Sequence, residues 1–157
     1  MIHNSTDVII KTVARIFIPF IQLYALYVIM HGHYSPGGGF QGGVILGASL
    51  ILLLITHGER VAMQRISENW ITILFSLGVL IYAGIGTLCL FFGGNFLDYG
   101  VLAPLLHVSP AAARSLGILG VEIGVGIAVM SVMVSIFYNI ARSGPYRNKG
   151  TTARRES

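Results

Sequence analysis

Glu122, in the stretch GILGVEIGVGIAV, is the carboxylate that lies well inside an apolar run. A charged side chain at the centre of a bilayer costs about 2.5–3.5 kcal/mol on insertion scales, so such residues face protein or water and mark an ion route or a polar pairing. A carboxyl group placed this way can take up and release a proton, or help to hold sodium. The alternative is a purely structural hydrogen bond between helices, to Gln22 or Tyr82. Sodium needs more oxygens than one glutamate supplies, so a working Glu122 is expected to act with residues of a partner.

The second candidate is HGHYSPGGGFQGG, residues 31 to 43. Gly37, Gly39 and Gly42 satisfy G-x-G-x-x-G, and Glu59 follows roughly 20 residues on, as in a dinucleotide-binding unit. That unit needs a strand before the glycines and a soluble helix–strand pair after them. Apolar runs flank the block on both sides, which argues against a nucleotide. The amides of Gly37, Gly38 and Gly39 could also cradle an anion or face a cation path. His31 and His33 form a His-x-His pair, half of a metal site, but no third ligand stands near, so they read as interfacial histidines bonded to the loop. Cys89, alone in an apolar run, reads as a small buried hydrophobe. No metal, cofactor or catalytic residue is assigned.

The elements that must position these residues follow from composition. Of 157 residues, 54% are hydrophobic and 10% charged, where a soluble domain carries about 25% charged residues. The mean hydropathy is +0.77. Lipid is the solvent this chain is built for. Net charge is +4, but Arg142, Arg147, Lys149, Arg154 and Arg155 follow the last apolar run, which points to a juxtamembrane tail and not to nucleic acid.

Crossing a hydrocarbon core of roughly 30 Å takes about 20 helical residues, and four apolar runs are long enough, near 10–30, 40–57, 70–92 and 115–139. The expected fold is an all-α integral membrane protein with four transmembrane helices. The first run follows a polar start with Asp7 and Lys11 and has no small-residue cleavage site after it, so it is expected to stay as a helix. Basic residues gather on the cytoplasmic side. Lys11, Arg15, Arg60, Arg65 and the tail fall on one side, and Arg114 alone on the other. Both termini and the 58–69 loop are therefore expected in the cytoplasm. Trp70, Tyr34, Tyr99 and Tyr138 are expected at the membrane interfaces, Arg15 at the cytoplasmic surface, and VLAPLLHV, broken by Pro104 and Pro110, as a peripheral segment. The division is a membrane domain over 1–140 and a basic cytoplasmic tail, without fixed structure, over 141–157.

Small residues at four-residue spacing let a neighbouring helix approach closely. Gly39, Gly43 and Gly47 are so spaced, Gly117, Gly120, Gly124 and Ala128 form a similar stripe at steps of three and four, and Gly78, Ala83, Gly84 and Gly86 add a third set. Three helices with such faces and no large soluble domain suggest a subunit.

HGHYSPGGGFQGGVILGA at 31–48, then a short basic loop, a third span and VEIGVG at 121–126, resembles the MrpB/MnhB family over roughly residues 8 to 140. The glycine block is matched by Pro36, Gly37, Gly38, Gly39, Phe40, Gly42 and Gly43. The resemblance implies a non-enzymatic membrane subunit of a multisubunit Mrp-type sodium/proton antiporter in a bacterial or archaeal cell membrane. Its partners would be the other membrane subunits, the lipid bilayer, and Na+ and H+. The antiporter branch resembles VEIGVG with aspartate at position 122; the glutamate here keeps open a second reading, an adaptor or ion-translocating subunit of a membrane-bound hydrogenase or other redox-driven complex.

Overall fold

A computed structural model describes residues 3–32, 34, 37–57 and 68–143, and the described residues are helices joined by turns. The helices are α1 (His3–Met30), α2 (Gly39–His57), α3 (Glu68–Phe91), a 3-10 turn (Tyr99–Leu102), the short α4 (Ala103–Leu106) and α5 (Pro110–Ser143). Four of them are long and apolar enough to cross a membrane: Val8–Met30, Gly39–Thr56, Asn69–Phe91 and Pro110–Ala141. The fold is all-α, as expected. His33, Ser35, Pro36, the 58–67 loop with Glu59, Arg60 and Arg65, and the tail after Ser143 lie outside the described residues.

The long helices stand in a row, α1 on α2, α2 on α5 and α5 on α3, with α1 reaching α5 only lightly. α1 turns a narrow stripe inward, Ala14, Ile18, Ala25 and Ile29, at the four- and seven-residue steps that keep one helix face in line. Its remaining surface, from Val8 to Met30, is largely exposed. Apolar side chains all round a helix suit lipid or another membrane helix, and they explain why hydropathy finds the spans without saying which helix neighbours which.

Glycine makes the row possible. On α2, Gly42 faces α1: a Cβ there would press on Ile29 and lie 2.9 Å from the Ala25 carbonyl oxygen. Gly39, Gly43 and Gly47 face α5, where added Cβ atoms would meet the backbone of Glu122, the carbonyl of Gly126 at 2.7 Å and Met133 at 3.1 Å. Equal steps on both helices mean that α2 and α5 run parallel. On the opposite side of α5, a Cβ on Gly78 of α3 would lie 2.6 Å from the Gly124 carbonyl, and one on Gly120 would lie 2.8 Å from Ile85. Residue numbers there run in opposite senses, so α3 is antiparallel to α5. At the far end of the row's centre, Leu54, Ile71, Val134 and Tyr138 form a buried cluster with Leu50 and Phe137.

Gly84 differs from the others in its set, with nothing within 4 Å of its Cβ position. Gly78→Ala is therefore expected to lower thermal stability in detergent by about 1–3 kcal/mol, the cost of overpacking. Gly84→Ala is expected to raise it by up to about 1 kcal/mol, through the better helix propensity of alanine. Equal effects at the two positions in a detergent melting series would contradict this packing.

Two expectations need correction. Pro104 and Pro110 do not break structure: Pro104 sits in the first turn of α4 and Pro110 opens α5, positions where the missing amide has no helical partner to lose. Arg114 consequently lies inside α5 and not in the connection. Tyr138, near the end of the last long apolar helix, is 4% exposed in the buried cluster, because its side of α5 faces α2 and α3. The 3-10 turn packs on α5 and buries Leu102, with Ala103 buried beside it at the start of α4.

Candidate functional site

Glu122 sits about three turns into α5, roughly 18 Å along the helix from Pro110 at 1.5 Å per residue. The end of α1 and the start of α2 stand beside it. A Cβ on Gly32 would run into both carboxylate oxygens and Cδ of Glu122; one on Gly38 would lie 2.7 Å from Oε1; one on Gly39 would strike the Glu122 backbone carbonyl. Oε2 is fully buried. The acid thus reaches into a cradle walled by backbone.

The depth of this cradle follows from α2. Its apolar stretch, Gly39–Thr56, has 18 residues, about 27 Å of helix against a core of roughly 30 Å. α2 has no length to spare, so its first residue must lie close to one face of the membrane. Glu122 is level with Gly39, at the start of α2 and not beside its middle. The positive end of the α2 dipole stands beside the carboxyl, which favours a negative charge there by typically 0.3–1 kcal/mol.

Aromatic rings lie on several of the neighbouring elements. Tyr99 packs on α5, where a Cβ at Gly117 would collide with its ring. Burial raises the Tyr99 phenol above its ordinary range, with Cys89, Tyr82 and the Glu122 charge adding to the effect, so the hydroxyl stays protonated at working pH. Tyr82 meets Phe96 edge to face at 6.2 Å between centroids. On α1, Tyr27 stacks with Tyr24 at 6.4 Å and with His31 at 4.2 Å. The His31 ring nitrogen Nδ1 lies 3.1 Å from the Tyr27 carbonyl oxygen, a donor position for the ring N–H. Among the described residues no three His, Cys, Asp or Glu side chains gather as a metal site would require. Cys89 is fully buried.

Residues 9–135 match the family model described as "MnhB: Domain related to MnhB subunit of Na+/H+ antiporter". The chain belongs to the MnhB family. A relative from Staphylococcus epidermidis (strain ATCC 35984), named "Putative antiporter subunit mnhB2", is 32% identical over 139 residues, covering 85% of this chain and 96% of its own. One of the same name from Staphylococcus aureus (strain Newman) is 31% identical over 133 residues, covering 81% and 94%.

In this MnhB chain the residues singled out from sequence fall into three groups. Gly38 and Gly39 stand at Glu122, while a Cβ on Gly37 would meet the Gln41 side chain and lie 3.6 Å from Val28. Gly42, Gly43, Gly47, Gly120 and Gly124 stand at helix contacts away from the carboxyl. Phe40 is 66% exposed on the outside of α2. Sequence reasoning passed over Gly32 and Gly126. The signal for Gly126 was present: Glu122 and Gly126 share the four-residue spacing of Gly39 and Gly43, so the two rows can meet step for step.

Proposed function

We propose that this chain is a membrane subunit of a multisubunit Na+/H+ antiporter, with Glu122 on or beside its ion route. The observation that carries the reading is family membership along nearly the whole described chain, with relatives of almost equal length that are named antiporter subunits. Of the two complexes that the sequence alone left open, the family description names the antiporter. The chain's own contribution is then transport and assembly, not catalysis. The exposed apolar faces of α1 and α3 suit lipid and the other subunits, and a carboxyl held in a backbone cradle suits a proton or, with added oxygens from a neighbour, Na+.

The distribution of Lys and Arg supports both termini in the cytoplasm of a bacterial or archaeal cell, with the membrane domain over 1–140 and the basic tail over 141–157, except that 141–143 still belong to α5 and are not without fixed structure. The glycine turn and the Glu122 cradle then open towards the outside. A tag on the tail tests the reading. It is expected to be reached by protease only from the cytoplasmic side, and gentle solubilisation is expected to bring down antiporter-like membrane subunits. Recovery of nickel–iron or iron–sulfur proteins instead would replace this reading with the redox-linked one.

A further inference from the structure

We propose that Gly32 and Gly38 are positioning residues for the Glu122 carboxyl group, and that together they set the length of acidic side chain that position 122 can carry. The proposal rests on the reading of Glu122 as part of the ion route. Three observations carry it. First, neither glycine has the positive φ that requires glycine for backbone reasons; Gly93 has one, at 81°. Second, what occupies the Cβ position of Gly32 is the carboxylate itself, with Oε1, Oε2 and Cδ all overlapping it; at Gly38 the nearest atoms are Oε1 at 2.7 Å and Cδ at 3.2 Å. Third, the backbone of Glu122 is pressed against Gly39, so α5 has no room to move towards α2 and the side chain itself has to take up any intrusion. The carboxyl end is flanked by the turn after α1, its oxygens lie where a methyl would lie, and its backbone has no room on the α2 side.

Under these constraints one methylene, about 1.5 Å of bond length, decides whether the acid and a wall side chain can coexist. Gly32→Ala claims the space of the carboxyl and must displace it. Glu122→Asp withdraws the carboxyl by one methylene and vacates that space. The two changes are therefore expected to compensate, which a general loss of packing would not do.

The experiment measures sodium-driven pH change in vesicles containing the whole complex, over a range of pH and Na+ concentration, with assembly followed by co-purification on the tail tag. Gly32→Ala is expected to assemble, to need about tenfold more Na+ for half-maximal activity, and to shift the pH profile, as follows when a working group is misplaced by about an ångström. Gly32→Ala with Glu122→Asp is expected to recover most of both. If Gly32→Ala blocks assembly, Gly38→Ala, which meets Oε1 first, is measured in its place with the same second change. A wild-type Na+ and pH response in the assembled alanine variant, or a defect that Glu122→Asp leaves as it was, overturns the proposal. Glu122→Gln run alongside separates the two levels. If it is fully active, the ion-route reading falls and this inference with it; if it is inactive while the alanine variant is normal, the positioning role alone falls.

Discussion

Glu122→Gln is expected to reduce sodium-driven pH change in vesicles to the level of membranes lacking the complex, while the complex still assembles. Glutamine keeps the volume and planar shape of the side chain, so the cradle of Gly32, Gly38 and Gly39 accepts it without movement. What it removes is the ability to carry a charge or release a proton. The substitution therefore separates the two roles open to an acid in an apolar run. An acid that only ties helices together by hydrogen bonding is largely replaced by an amide, which still accepts and donates. An acid that loads and unloads an ion is not. Glu122→Ala makes the complementary comparison, because it also empties the cradle and is expected to lower stability as well as transport. Normal antiport by a fully assembled Glu122→Gln complex would show that the ion passes elsewhere.

The spans were legible in the sequence because a bilayer imposes one requirement, an apolar run of sufficient length, and the four runs and the four long helices agree to within a few residues except at the start of α1 and both ends of α5. The row order was not legible. α1 and α3 are apolar on nearly every side, so nothing in their patterns points towards a neighbour, and the glycines on α2 point two ways: Gly42 to α1, Gly43 to α5. Adjacent residues with opposite partners look the same in a one-dimensional list. Glu122 was found by its cost, but its surroundings were not. Gly32 lies in the turn after α1, 90 positions from the carboxyl it touches, and in sequence it is only a small residue between two histidines. Its role becomes visible when α1, α2 and α5 are placed side by side.

Gly43→Leu is expected to prevent assembly, and with it all transport, in contrast to the selective loss from Glu122→Gln. The reason lies in what Gly43 touches. A Cβ there would lie 2.7 Å from the carbonyl oxygen and 3.0 Å from the Cα of Gly126, both backbone atoms, and 3.0 Å from Cβ of Val129. A flexible side chain can swing away from an intruding methyl; a helix backbone can yield only by moving as a rod. Pushing α2 off α5 would also part Gly39 from Glu122 and Gly47 from Met133, because all three contacts lie on one face at equal steps. The usual cost of overpacking, about 1–3 kcal/mol, is therefore a lower bound here. Lipid offers no hydrophobic driving force to pull the helices back together, and the association depends on close packing. Gly43→Ala provides the graded comparison and is expected to weaken assembly less than leucine does. The yield of intact complex on the tail tag, measured across Gly43, Ala and Leu, should fall in that order. An undiminished yield with leucine would mean that α2 and α5 do not meet at this residue.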